Sequence, residues 1–137
     1  MKKILTMFFL ITLSFPVLAK ELTLLDEAEQ MGTVAGLARV CGETNKLKNY
    51  ELIAARLIAN KAKSEDEEMN GYQRYAAGKF RAMETHKKSP KMTCGEILNR
   101  FQKLPLFKST VYKDGSLKFY DGTYYPAKGM YVKKNEA

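Results

Sequence analysis

The chain has 137 residues, with 23 lysines and arginines against 15 acidic residues and a formal net charge of +8 at pH 7. An apolar fraction of 45% and a charged fraction of 28% are typical of one small folded domain and exclude wholesale disorder. One histidine and two cysteines are too few for a His-rich metal site, a zinc knuckle or an iron–sulfur cluster.

The N-terminus has the pattern of a secretory signal peptide. Lys2 and Lys3 precede an uncharged, mostly apolar run over residues 4–15, and small residues follow at Val17 and Ala19. The run has about a dozen residues, whereas a membrane-spanning helix needs roughly 20. We expect cleavage after Ala19 and a mature chain in the bacterial periplasm or outside the cell, with no further membrane span. The alternative is an uncleaved N-terminal anchor.

Four helices are predicted between the signal peptide and Pro105. The first covers residues 23–41, and Gly42 follows as its C-cap. Gly32 and Gly36 each cost roughly 1 kcal/mol of helix propensity relative to alanine, so another backbone is expected to pack closely there.

The second helix is predicted from about Asn49 to Ala62, with an inward face of Tyr50, Ile53, Leu57 and Ile58. The third begins after Ser64, which forms a capping box with Glu67, and ends near Lys88 before a breaker at Ser89-Pro90. Its large apolar residues recur at helical spacing and are expected to face inward: Met69, Tyr72, Ala76, Phe80 and Met83.

A second capping box, Thr93 with Glu96, opens the fourth helix, which Pro105 stops. Its inward residues are predicted to be Ile97, Leu98, Phe101 and Leu104.

The two cysteines are predicted to form a structural disulfide. In an oxidising compartment an isolated pair in a small domain is usually bridged, and a Cys41–Cys94 bond would close a loop of about 50 residues. The chain-entropy model gives such a bond about 4 kcal/mol. The alternative is a reactive thiol at Cys94, at a helix N-terminus and with His86 nearby in the sequence.

After Pro105 the pattern changes to short strands over residues 110–113, 116–120 and 123–125, joined by two Asp-Gly turns. Two-residue turns would place Tyr112, Leu117, Phe119 and Tyr124 on the face that packs on the helices. The opposite, solvent face would then carry Val111, Lys113, Lys118, Tyr120 and Tyr125.

The predicted fold class is therefore mainly α, a four-helix disulfide-stapled bundle followed by a short C-terminal antiparallel β-meander. The chain divides into a signal peptide (1–19), a helical domain (20–105) and a basic, tyrosine-rich β segment (106–137) packed on that domain.

The excess charge lies near the C-terminus. Residues 100–134 carry eight basic and two acidic side chains, whereas residues 20–99 are nearly neutral. Lysines interleaved with tyrosines are typical of a surface that binds an anionic partner. The predicted partner-binding residues are Lys113, Lys118, Tyr120, Tyr125, Lys128 and Tyr131. The alternative is that these lysines protect edge strands from aggregation.

No catalytic triad, phosphate-binding glycine loop, zinc-protease or EF-hand motif occurs, so no catalytic residue, metal site or cofactor is predicted. Glu43, Glu51 and Glu84 leave a carboxylate pair for sugar hydrolysis open. The segment T-C-G-E-I-L (93–98) resembles the first cysteine segment of periplasmic acid-stress chaperones. In those proteins it precedes the other cysteine, whereas here it follows it, so no function is transferred.

The function hypothesis is an exported, non-enzymatic interaction module of the bacterial envelope that binds an envelope protein or an anionic envelope polymer. Nucleic acid is not expected as a partner, because an exported protein seldom meets it and no binding motif is present. The alternatives are a small carboxylate-dependent enzyme acting on the cell wall and a periplasmic stress chaperone. The sequence does not define the oligomeric state.

Overall fold

The computed structural model describes residues 22–128, so the predicted signal peptide and Tyr131 lie outside the described residues. Four α-helices, a 3₁₀ helix and a three-stranded antiparallel sheet follow one another within this range, and the predicted fold class is confirmed. The helices are α1 (Leu24–Val40), α2 (Asn45–Lys61), α3 (Glu65–Lys88) and α4 (Cys94–Gln102). The 3₁₀ helix (Pro105–Lys108) leads to the strands β1 (Thr110–Val111), β2 (Leu117–Lys118) and β3 (Tyr124–Tyr125).

Hydroxyl side chains begin three of the helices. The side chains of Thr23, Ser64 and Thr93 each accept a hydrogen bond from the backbone N–H three residues later, at 3.0–3.2 Å. These bonds satisfy N–H groups that have no partner inside a helix. Both predicted capping-box positions are therefore helix starts.

The start of α2 was predicted four residues too late. The helix begins at Asn45, and the Thr44 side chain makes no capping hydrogen bond. Glu43 takes that role, because its carboxylate accepts from the backbone N–H groups of Thr44 and Lys46 at 3.1 and 3.3 Å. A glutamate before a helix is a weak cap signal in a sequence, which explains the error.

Glycines bring the backbones of α1 and α3 into direct contact. A Cβ atom at Gly32 would overlap the carbonyl oxygen of Tyr75, and one at Gly36 would overlap the carbonyl of Lys79. From the other side, a Cβ at Gly78 would lie 2.5 Å from the carbonyl oxygen of Glu29. The close backbone approach predicted from Gly32 and Gly36 is confirmed.

This glycine packing reverses the predicted orientation of α3. The helix turns its small residues, among them Gly71, Gly78 and Ala82, towards the bundle. Of the stripe predicted to face inward, Met69 (54%), Ala76 and Phe80 (67%) are exposed instead, and Tyr72 and Met83 are half-buried. The prediction was wrong because it ranked residues by apolar size, whereas the interface with α1 is decided by how closely two backbones can approach.

The core surrounds α2, which contacts α1, the 3₁₀ helix and all three strands. Its main buried cluster combines residues of α1, α2, α4, the 3₁₀ helix and β2: Ala35, Ala38, Leu47, Tyr50, Ile53, Leu57, Phe101, Leu106 and Leu117. The aromatic rings of Tyr50, Phe101 and Phe107 pack together with centroids 5.3–6.1 Å apart. The meander is thus part of the same core as the helices.

The predicted disulfide is confirmed. Cys41, the C-cap of α1, is bonded to Cys94, the first residue of α4, across 53 residues of sequence. Gly42 follows with a φ of +94°, the left-handed conformation expected after a helix end. No helix within residues 22–128 is both long and apolar enough to cross a membrane.

Candidate functional site

Both loops of the meander contain three residues, not two. The N–H of Gly115 donates to the carbonyl of Tyr112 at 3.0 Å, and that of Gly122 donates to the carbonyl of Phe119 at 2.9 Å. Both glycines have a φ of +92°. A turn that ends in a left-handed glycine is the usual three-residue hairpin loop, and here each Asp-Gly pair occupies its second and third positions.

The additional loop residue changes which side chains share a face. The pairing places Val111, Leu117 and Tyr125 opposite one another, and Thr110, Lys118 and Tyr124 likewise. Residues paired across antiparallel strands lie on the same side of the sheet. The predicted faces were therefore wrong at four positions. Val111 and Tyr125 pack against the core, whereas Tyr112 is exposed and Tyr124 lies outside beside Lys118.

Two residues at the end of α2 hold the meander in place. The buried Asn60 donates its side-chain amide to the carbonyls of Gly115 at 2.8 Å and Tyr125 at 3.4 Å. The ammonium group of Lys61 lies 5.8 Å from the centre of the Tyr125 ring. Tyr125 therefore contributes to the attachment of the sheet, although it was predicted to bind a partner.

Five exposed side chains form what we call the lysine–tyrosine surface: Tyr112, Lys113, Lys118, Tyr120 and Tyr124. The three tyrosines are 42%, 47% and 56% exposed, in chain order. Lys113 and Tyr120 are the first residues of the two loops, and Lys118 lies on β2 opposite Tyr124. Of the other predicted partner-binding residues, Lys128 is half-buried and Tyr131 is outside the described residues.

The helical domain pairs much of its charge internally. Six ion pairs join acidic and basic side chains of the helices, including Arg74 with Asp26, Arg81 with Glu29 and Lys79 with Glu51. By contrast, Lys113 and Lys118 take part in no ion pair within residues 22–128. At these two lysines the positive charge is thus unpaired within the described residues.

The two acidic residues of the meander accept hydrogen bonds from residues of their own loops. The Asp114 carboxylate accepts hydrogen bonds from the hydroxyl and N–H of Ser116, and these bonds lower the pKa of Asp114. Asp121 accepts from the N–H of Thr123 at 2.9 Å, which lowers the pKa of Asp121 in the same way. Both carboxylates are charged at neutral pH. Their hydrogen bonds are made to residues of their own loops and not to the neighbouring lysines.

A second group of side chains with reactive atoms lies at the C-terminal end of α3. The imidazole Nε2 of His86 is 3.8 Å from the Sγ of Cys94 and 4.0 Å from the Sγ of Cys41. All three side chains are half-buried. The sequence places His86 only eight residues before Cys94, but a prediction that it also approaches Cys41 would have required the orientation of α3.

An apolar pocket of about 340 Å³ lies beside His86. Leu37, Ala82, Met92 and Ile97 contribute to its walls, and Arg81 and Lys91 are at its edge. The pocket is formed between α1, α3 and the segment that leads into α4. His86 is one of the residues that line it.

The three glutamates considered for catalysis are engaged separately. Glu43 caps α2, and Glu84 lies 3.8 Å from Lys87. Glu51 accepts hydrogen bonds at 2.8 Å from both the Tyr75 hydroxyl and the Lys79 ammonium group. Burial, followed by the hydrogen bond to Glu51, raises the pKa of Tyr75 far above that of a free tyrosine. Each of the three carboxylates thus has separate partners of its own.

No family model matches the chain, and neither a curated protein nor a solved structure is significantly similar to it.

Proposed function

We propose that this chain is an exported, non-enzymatic interaction module of the bacterial envelope that binds an anionic partner through the lysine–tyrosine surface. The observation that carries the proposal is that Lys113 and Lys118 are exposed beside three exposed tyrosines and have no acidic partner among the described residues. The partner is an anionic envelope polymer or the acidic face of an envelope protein.

The two residue types have complementary roles in such a contact. Unpaired ammonium groups attract an anionic partner over several ångströms, and their attraction is weakened by salt. A tyrosine ring adds flat apolar area and a hydroxyl that donates or accepts a hydrogen bond. The rigid attachment through Asn60 supports the same function, because it limits the conformational entropy that the surface would lose on binding.

The experiment compares two double variants with the oxidised chain that begins at Lys20. In Lys113→Gln/Lys118→Gln the two unpaired charges of the lysine–tyrosine surface are removed. In the matched control, Lys48→Gln/Lys63→Gln, two exposed lysines of the helical domain without a described ion pair are removed, so the net charge is the same. Each chain is immobilised and exposed to envelope extract and to anionic and neutral lipid vesicles, at low and high salt.

We expect the surface variant to bind roughly 30-fold more weakly at low salt, since an exposed lysine near an anionic surface contributes about 1 kcal/mol. The control should bind like the parent chain, and high salt should weaken the parent most. Binding to anionic vesicles would identify a lipid headgroup, whereas extract binding without vesicle binding would identify a protein or a non-lipid polymer. Equal binding by both variants, or binding that is insensitive to salt, would contradict the proposal.

The outward face of α3 favours the chaperone alternative as a second candidate function. Met69 and Phe80 are both more than half exposed, and Ala76 and Ala77 are exposed on the same helix. Exposed apolar side chains are what a holdase uses to bind unfolding clients. Phe80→Ser should then reduce suppression of client aggregation after acid or heat treatment, whereas Leu52→Ser, at an exposed leucine on α2, should not. Equal suppression by both variants would count against this function.

A further inference from the structure

Three side chains with metal-binding atoms meet where α1, α3 and α4 come together. Cys41 ends α1, His86 lies in the last turn of α3, and Cys94 begins α4. The two sulfur atoms and one imidazole nitrogen all lie within 4.8 Å of one another. These are the full complement of cysteines and histidines in the chain after its signal peptide. In the oxidised protein the sulfurs are bonded to each other.

We propose that reduction of the Cys41–Cys94 disulfide converts this cluster into a binding site for a thiophilic d¹⁰ cation, Zn²⁺ or Cu⁺. The ligands are the two cysteine thiolates and Nε2 of His86. Thiolates and imidazole are the donors that these cations prefer. The inference concerns a site separate from the lysine–tyrosine surface and does not depend on the function proposed for that surface.

The geometry of the imidazole fits such a site with little movement. With Zn–S and Zn–N bonds of about 2.3 and 2.0 Å, the nitrogen and a sulfur of a tetrahedral site lie about 3.5 Å apart. The corresponding distances here are 3.8 Å to Cys94 and 4.0 Å to Cys41. The main change is in the two sulfurs, which must separate to about 3.8 Å once their bond is broken. Rotation of two half-buried side chains can provide that separation.

The apolar pocket borders the cluster at its histidine. His86 and Met92 both line the apolar pocket of about 340 Å³, so a fourth ligand can reach the metal from it. A Zn²⁺ ion would complete its coordination there with water. For Cu⁺, a soft thioether such as that of Met92 is a suitable additional donor.

The redox step balances with a dithiol reductant. The dithiol gives two electrons and two protons to the disulfide, which yields two cysteine thiols and the oxidised dithiol. Metal binding then forms two metal–sulfur bonds and releases the two thiol protons. The disulfide and the metal site are therefore mutually exclusive states of the same two cysteines.

The experiment measures metal binding to the full oxidised and dithiol-reduced chains by competition with a chromophoric chelator, using Zn²⁺ alone and Cu⁺ alone in separate series. We expect one metal ion per reduced chain and none per oxidised chain. His86→Ala keeps both cysteines and should weaken binding at least about tenfold, since even the loss of a residue that only supports a ligand costs 10–100-fold. Lys87→Ala, at the exposed neighbouring residue, is the matched control and should bind like the parent.

Because the chain has a single histidine, its imidazole ¹⁵N resonances report on this site alone. We expect the Nε2 resonance to shift on metal addition to the reduced chain and to remain unchanged in the oxidised chain. Affinity that is equal in His86→Ala and the parent, or metal binding by the oxidised chain, would overturn the proposal.

Circular dichroism keeps the test decisive if reduction unfolds the chain. Metal added to the reduced parent should then restore its helical signal, since binding energy contributes to folding. The same metal should fail to restore it in reduced His86→Ala. Failure to restore helix in the parent, or equal recovery in both chains, would mean that His86 does not complete a metal site in the folded chain and would also overturn the proposal.

Discussion

Gly32 of α1 lies directly against the carbonyl oxygen of Tyr75 in α3. The contact is between two backbones, with no side chain available to move aside. One turn later Gly36 lies in the same way against the backbone carbonyl of Lys79. On α3, Gly78 makes the equivalent contact with the backbone carbonyl of Glu29. The separation of the two helices is therefore set by glycines on both of them.

We expect Gly32→Ala to destabilise the chain by about 1–3 kcal/mol, because the added methyl group forces the helices apart. This loss occurs although alanine improves intrinsic helix propensity by roughly 1 kcal/mol. The matched control is Gly95→Ala in α4, where the nearest atom to a new Cβ is the Thr93 hydroxyl at 3.8 Å. The control should be neutral or slightly stabilising. Urea unfolding of both variants checks the prediction, which equal stabilities would contradict.

The same contact explains which part of the fold could be predicted. Caps, breakers and the spacing of Gly32 and Gly36 are local signals, and they located the helices and the close approach in α1. The orientation of α3 is decided by contacts with a helix far away in sequence, and its largest apolar side chains, Met69 and Phe80, gave the wrong answer. Helical periodicity indicates that a face exists, but it does not say which of two apolar faces gains more by packing.

Asn60 provides a second test, because its side chain connects α2 to the meander. Asn60→Ala removes the hydrogen bonds to Gly115 and Tyr125 and leaves their carbonyls without that donor, at an expected cost of about 1–3 kcal/mol. The effect should be largest in the sheet. We therefore expect the substitution to accelerate amide hydrogen exchange more at Phe119, whose N–H donates to the carbonyl of Thr123, than at Ile53 in α2.

The matched control for this prediction is Asn99→Ala on α4, where the asparagine is exposed and should be replaceable with little loss. If Asn60→Ala accelerated exchange equally in α2 and in the sheet, the amide would be stabilising the whole fold rather than attaching the meander.

The candidate surface could be predicted only in part for a related reason. Charge and composition identified the segment that contains Lys113, Lys118 and Tyr120. The faces of the sheet depended on loop length, and an Asp-Gly pair fits a two-residue loop as well as the last two positions of a three-residue loop. A change of one residue in pairing exchanges the faces of a strand, and this placed Tyr124 outside and Tyr125 inside.

The disulfide is expected to contribute a large share of the stability. Its sulfurs close a loop across 53 residues, for which the chain-entropy model gives about 4 kcal/mol. Cys41→Ala/Cys94→Ala should therefore lower the free energy of unfolding by about that amount, as measured by urea unfolding. The oxidised parent in the same buffer is the control. A loss below about 1 kcal/mol would mean that the helix packing holds the two helix ends together without the bond.

Acid should destabilise the chain partly through Glu29. Its carboxylate accepts hydrogen bonds from Arg81 at 2.8 Å and Arg74 at 2.9 Å, and these bonds hold the pKa of Glu29 below its usual value. A carboxyl group whose pKa is lower in the folded chain stabilises the fold above its unfolded pKa, near about 4.3. That contribution is lost as the pH falls through the folded value.

Glu29→Gln should consequently be less stable than the parent at neutral pH, and the difference should narrow as the pH is lowered from about 5 towards 2. Thermal unfolding across this range measures both the difference and its slope. Asp66→Asn is the matched control, since it neutralises an exposed carboxylate of α3 that has no described ion pair. Its stability difference from the parent should change less with pH. A constant difference for Glu29→Gln down to pH 2 would mean that the arginines do not stabilise the charged form of Glu29 in the folded chain.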